Sequence, residues 1–164
     1  MTRRSVAGPV VAGLVLAALS SGARPVAAQA QKSTVGLAAV VAVSDPVAAG
    51  VGPTLWFPLG ADAGLRTRAL ATRLGERWVG RFEGAVEYRV PVNRGARPRW
   101  YLAGGVAGNT GRGGGPFLLL AIGLDFRRAA GPTVEAGVGG GARVAASFDV
   151  PVRGERRAAA RGRP

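Results

Sequence analysis

The chain has 164 residues, enough for one domain, with 22 basic and 9 acidic side chains and a formal net charge of +13. It contains no cysteine and no histidine, which excludes disulfides, thiolate chemistry and the commonest general base and metal ligand of proteins. The basic residues are scattered along most of the chain, whereas nucleic-acid binding needs them clustered on one face or helix. We therefore expect no nucleic-acid partner.

The first thirty residues have the three-part pattern of a secretory signal peptide. Two arginines precede an apolar stretch from Val6 to Leu19, and the segment closes on the small-x-small sequence AQA. The apolar stretch is short for a membrane helix and contains a proline, which favours cleavage over an uncleaved anchor. We expect a signal peptide at 1–30, a folded domain at 31–152 and an Arg-rich, disordered tail at 153–164.

In the folded domain, large apolar residues alternate with small or polar ones at a period of two, which is typical of β-strands. The connections between the alternating segments are rich in Gly, Pro, Asn and Asp, as turns require. This pattern predicts an all-β fold, an antiparallel up-and-down β-barrel or meander of about eight strands. The predicted strands are 34–43, 50–59, 63–72, 77–90, 98–107, 117–127, 132–139 and 142–151.

Two segments leave alternatives open. Leu70, Leu74 and Trp78 are four residues apart, which is compatible with a helix over 63–78, but the LGE sequence at 74–76 favours a tight turn between two strands. The glycine-rich segment 137–144 is either a turn or part of one long bulged strand, and the second alternative would reduce the count to seven strands.

The clearest strand, RFEGAVEYRVP at 81–91, has one apolar face and one charged face. In a soluble barrel the apolar face packs inward and the charged face meets water. In a membrane barrel the apolar face meets lipid and the polar face lines the lumen. Alternation alone does not distinguish these two arrangements.

Two further features favour the membrane. Leu, Ile, Phe and Trp number only twenty after residue 30, too few to fill a close-packed soluble core readily. Trp78 and Tyr88 share one face of a strand ten residues apart, about 33 Å along it and roughly 25 Å along the membrane normal after tilting. That height matches the lipid-facing band between two aromatic girdles, although ordinary cross-strand packing of aromatics also explains the pair.

The charged face of the same strand carries two arginines and two glutamates. Charges enclosed in a narrow lumen must be paired, because an unpaired buried charge is costly. The alternative is a solvated face with incidental ion pairs. The expected lumen charge network is Arg66, Arg68, Arg81, Glu83, Glu87, Arg89, Asp125, Glu135 and Arg143. The expected lipid-facing or girdle aromatics are Phe57, Trp78, Phe82, Tyr88, Trp100, Phe126 and Phe148.

Four segments of the sequence carry a resemblance to a known family. They are the segment ending VAAQA, the ribbon RWVGRFEGAVEYRVP and the glycine-rich strands YLAGGVAG and VEAGVGGG. The sequence resembles the small eight-stranded outer-membrane β-barrels of Gram-negative-type bacteria. The resemblance implies a location in the outer membrane, with contacts to outer-membrane lipid and to the barrel insertion machinery. It also implies a lumen filled by side chains and not a wide, porin-like pore.

The main hypothesis is a monomeric, non-enzymatic outer-membrane barrel with a structural or narrow-passage role. The alternative is a periplasmic or secreted soluble barrel that holds a small apolar ligand in a lipocalin-like cup. This alternative predicts that Leu118, Ile122, Phe82 and Val86 face inward, toward the ligand.

An enzyme is the third hypothesis, and Glu83 with Glu87 is its candidate acid–base pair. The neighbouring arginines favour a structural salt-bridge role for both carboxylates. The glycine-rich segment GNTGRGGGP is not followed by Gly-Lys-Ser/Thr, so it is not a phosphate loop. We expect no catalytic residue, no cofactor and no metal site.

Overall fold

The computed structural model describes residues 32–91, 98–110, 114–127 and 130–152. The expected signal peptide and Arg-rich tail lie outside these residues. Eight strands form one closed antiparallel barrel in which each strand pairs with its neighbours in sequence, and β1 pairs with β8. The strands are β1 (Thr34–Val43), β2 (Ala48–Pro58), β3 (Ala63–Leu74), β4 (Arg77–Arg89), β5 (Arg99–Asn109), β6 (Pro116–Asp125), β7 (Gly131–Val138) and β8 (Ala142–Pro151).

The predicted eight-stranded barrel is therefore confirmed, and the predicted strand limits differ from the observed ones by at most two residues. The helix alternative over 63–78 is wrong, because β3 is a strand that ends in a two-residue turn at Gly75 and Glu76. Gly75 has a φ of 58°, in the left-handed region that favours glycine. The LGE sequence thus forms the tight turn that it predicts.

The seven-strand alternative is also wrong. Residues 139–141 form a turn between β7 and β8, with φ angles of 72° at Gly140 and 135° at Gly141. A residue with a Cβ rarely adopts such angles, so the glycine run allows the chain to reverse direction there.

An even number of antiparallel strands brings both ends of the barrel sequence to the same side. Thr34, the first residue of β1, pairs with Pro151, the last residue of β8. We call this side the proximal end, and the opposite side, which carries the glycine turn at 139–141, the distal end. Among the described residues, no helix is long and apolar enough to cross a membrane, a criterion that does not address strands.

Successive side chains alternate between the inside and the outside of the barrel, as the strand geometry requires. Inside, small apolar side chains form two buried clusters, one around Tyr101 and Leu119 and the other around Val40 and Leu70. Most other members of these clusters are alanines, which leaves room in the narrow lumen for long charged side chains.

Candidate functional site

The barrel interior is the candidate site, because charged side chains are buried there in number. All nine residues of the expected lumen network lie on inward-facing positions. Eight of them are buried, and Arg89 is half-buried at the proximal end. The structure divides these residues, together with two that the sequence analysis did not select, into two groups of ion pairs.

The first group, the distal cluster, consists of Arg68, Arg81, Glu83, Glu135 and Arg143. Glu83 Oε2 accepts hydrogen bonds from Arg68 Nη1 and Arg143 Nη2, each at 3.1 Å. Glu83 Oε1 accepts a third from Arg81 Nε at 2.8 Å. Glu135 binds Arg68 in a bidentate manner, at 2.7 and 3.0 Å. Two carboxylates therefore serve three guanidinium groups.

The second group, the proximal cluster, lies nearer the chain ends and consists of Arg66, Glu87, Arg89, Asp125, Arg127 and Asp149. Arg66 pairs with Glu87 of the adjacent strand and, at 3.0 Å, with Asp149. Asp149 Oδ2 also accepts a hydrogen bond from Arg127 at 2.8 Å. In these ion pairs three carboxylates serve three guanidinium groups, and Arg99, a half-buried register partner of Asp125, lies at the same end of the lumen.

Hydroxyl groups add hydrogen bonds to both clusters. The Tyr101 hydroxyl donates to Glu135 Oε2 at 2.9 Å. Thr54 and Ser147 accept weaker hydrogen bonds from Arg66 Nη1, at 3.4 and 3.3 Å. Buried charges need such additional partners, because a buried ion pair with unsatisfied polar atoms is destabilising.

Sequence reasoning missed Arg127 and Asp149 as members of the network, although both are buried and ion-paired. The signal was available in the alternation. Asp149 has the parity of Arg143 on β8, and Arg127 has the parity of Asp125 on β6. Both are selected when the inward parity is applied to every charged residue of a strand and of the two residues that follow it.

Trp56 fills the lumen at the proximal end. Its side chain faces inward on β2, and the residue is 3% exposed. Arg89 and Arg127 place their guanidinium groups 4.7 and 5.5 Å from the ring centroid, within the range of cation–π interactions. An added Cβ at Gly64 would overlap the indole, so this glycine provides the space that the ring needs.

The outside of the barrel has the opposite character. All seven expected lipid-facing or girdle aromatics are exposed there, and Trp78 is the most exposed at 68%. Five lie within three residues of the proximal end of a strand, namely Phe57, Tyr88, Trp100, Phe126 and Phe148. Trp78 lies at the distal end of β4. On the outward-facing positions of the described strands, Arg73, at the distal end of β3, is the only charged side chain.

One prediction of the soluble-cup alternative is wrong. Leu118, Ile122, Phe82 and Val86 were expected to face inward, but all four face outward and are 46–70% exposed. The inward parity of these strands instead carries Leu119, Ala121 and the charged residues of β4, because the small and charged side chains fit the narrow lumen.

The candidate acid–base pair is divided between the clusters. Glu83 belongs to the distal cluster and Glu87 to the proximal cluster, and each is bound by arginine. Three or more His, Cys, Asp or Glu residues do not come together as a possible metal site anywhere in the described part of the chain. Most of the interior ion pairs join residues of different strands.

Comparison with known proteins finds no matching family model, no matching curated protein and no matching solved structure.

Proposed function

We propose that this chain is a non-enzymatic outer-membrane β-barrel protein with a structural or narrow-passage role. The observation that carries the proposal is the outer surface. Seven of the eight strands expose large apolar side chains there, β3 being the exception, and the outward-facing positions contain one charge, at a strand end. Monomeric soluble proteins rarely expose apolar patches larger than a few hundred Å².

The distribution of aromatic residues supports the same proposal. Tryptophan and tyrosine prefer the membrane–water interface, where the ring is apolar and the polar atom is wet. Trp100 and Tyr88 lie at the proximal end of the barrel and Trp78 at the distal end. Trp78 and Tyr88 therefore mark the two edges of an apolar band of roughly 25 Å, the usual height in such barrels.

The interior supports a structural or narrow-passage role. Trp56, Tyr101 and the two charged clusters fill the lumen with side chains and leave no wide aqueous channel along the described residues. An eight-stranded barrel has an interior just wide enough for such filling. Any solute that passes through the barrel would have to move along the charged side chains of the two clusters.

The proposal is tested by separating the membranes of cells that express the full-length chain. We expect the protein in the outer-membrane fraction, and we expect its band to migrate faster on a detergent gel when the sample is not boiled. Detergent-resistant closed barrels remain compact under these conditions. A soluble periplasmic protein without a heat-dependent shift would contradict the proposal.

A further inference from the structure

The distal cluster carries an excess of positive charge. It contains three arginines and only two carboxylates. Arginine stays protonated inside proteins, so it does not relieve the imbalance by losing a proton. Asp45 and Glu76, the other described acidic residues of the distal end, are exposed in turns, where solvent screens them. Each arginine contacts at least one carboxylate, but the cluster as a whole keeps a net charge of +1.

The same cluster contains buried donors without acceptors. Nε of Arg143 and Nε of Arg68 make no hydrogen bond within the described part of the chain. Nη1 of Arg143 lies 2.8 Å from Glu135 Oε1, but the direction of the N–H bond does not make this ion pair a hydrogen bond. The Arg143 and Arg68 side chains are 0% and 3% exposed. Buried donors of this kind are costly unless an acceptor reaches them.

Two arginines of the distal cluster meet beneath the glycine turn. Arg81 Nη2 donates to the Gly139 carbonyl at 2.9 Å. A Cβ at Gly139 would lie 3.0 Å from Arg143 Cδ and 3.6 Å from Arg81 Nη2, so the two arginines converge on the side where this glycine has no side chain.

We propose that the distal cluster binds a small monovalent inorganic anion, of which chloride is the type, among Arg68, Arg81 and Arg143. A water molecule would accept the N–H hydrogen bonds but would not neutralise the excess charge, whereas a halide does both. The surrounding side chains fill the lumen, which favours an ion of one atom over a phosphate or a carboxylate. The site requires only the barrel interior and does not depend on what surrounds the barrel.

The test compares unfolding of the purified, folded protein by urea in sodium chloride and in sodium gluconate at equal ionic strength. A ligand that binds only the folded state raises the folding equilibrium constant about elevenfold when its concentration is ten times its dissociation constant. We expect a chloride-dependent increase for the wild type. We expect none for Arg143→Gln, which removes both the excess charge and two of the donors that make no hydrogen bond. Arg81→Gln also balances the cluster and replaces Arg143→Gln if that variant does not fold.

Arg89→Gln is the matched control, because it removes an arginine from the proximal cluster, at the other end of the lumen, and it should keep the chloride dependence. Crystals grown in sodium bromide should show an anomalous peak among the three distal arginines. Equal unfolding in chloride and gluconate without a bromide peak at these arginines would overturn the proposal. A chloride dependence that survives in both Arg143→Gln and Arg81→Gln would also overturn it, since the anion would then bind elsewhere.

Discussion

The ring of Tyr101 on β5 occupies the space that a side chain at Gly123 on β6 would need. The two residues are direct partners in the β5–β6 register, and an added Cβ at Gly123 would overlap the tyrosine ring. The glycine therefore lets Tyr101 lie flat against the barrel wall, where its hydroxyl reaches Glu135. The absence of a side chain at Gly123 thus positions the Tyr101 hydroxyl that donates a hydrogen bond to the distal cluster.

Gly123→Ala should destabilise the barrel by about 1–3 kcal/mol, because the methyl group forces the tyrosine out of its place. Gly84→Ala is the matched control, since Gly84 also lies within a strand but faces outward with no atom within 4 Å of an added Cβ. Urea unfolding monitored by tryptophan fluorescence measures both variants. Equal free energies of unfolding for the two alanine variants would mean that the Tyr101 ring is not held against Gly123.

Glu135 of the distal cluster contacts Arg68, Arg143 and Tyr101. Glu135→Gln should lower the free energy of unfolding by about 3–5 kcal/mol, since it leaves two arginines buried with less compensating charge. Glu76→Gln, in an exposed turn, should stay within about 0.5 kcal/mol of the wild type. The measurement is urea unfolding at constant salt.

The double variant Arg68→Met with Glu135→Gln extends this test. If the two residues form the ion pair seen here, the double variant should lose less stability than the sum of the single variants, because the unpaired charge is removed with its partner. Strict additivity would contradict a direct interaction between Arg68 and Glu135.

The fold was largely predictable from the sequence, because strands have one dominant sequence signal, the alternation of large apolar residues with small or polar ones. Alternation at a period of two assigns each residue to a face, and Gly75 and Gly140 mark the turns by chemistry that glycine favours. The pairing of charges was less predictable. Arg68 and Glu83 are partners in the β3–β4 register. Such a pair can be predicted from the sequence, because the two strands follow each other along the chain. The contact from Arg68 to Glu135 crosses from β3 to β7.

That contact depends on the closure and stagger of the barrel, which no local pattern encodes. The same reason explains why Trp56 was not selected from the sequence as a lumen-filling residue. Its parity placed it opposite Leu55 and Phe57, but only the closed barrel brings Arg89 and Arg127 to its ring. The sequence therefore predicts which face of the barrel a side chain lies on, but only the closed barrel determines which side chains pair across the lumen.

Replacing an outward-facing apolar residue with arginine tests whether lipid or water covers the outer surface. Leu120 is the fifth of ten residues in β6 and faces outward, whereas Val43 is the last residue of β1 and also faces outward. In a bilayer, Leu120→Arg should cost about 2–4 kcal/mol and Val43→Arg about 0–1 kcal/mol, because the cost rises toward the midplane. Urea unfolding from lipid vesicles gives both values. Small and equal costs would indicate that water, and not lipid, covers this face.

Trp56 should limit any passage through the barrel, because it fills the proximal end of the lumen between two guanidinium groups. We expect little or no conductance from the wild type in planar bilayers. Trp56→Ala should give larger single-channel steps, because truncation opens a cavity beside the proximal cluster. The same truncation should lower the free energy of unfolding by about 3–5 kcal/mol, so the heat-dependent gel shift must first show that the variant is folded.

Trp100→Ala is the control for this experiment. Trp100 lies at the same end of the barrel and is also a tryptophan, but it faces outward and is 49% exposed. Its removal should leave the conductance unchanged, because it does not line the lumen. If both variants conduct like the wild type, Trp56 does not limit passage, and the role of the barrel is structural. If both variants increase the conductance equally, the current follows a path other than the lumen, such as a defect at the protein–lipid boundary.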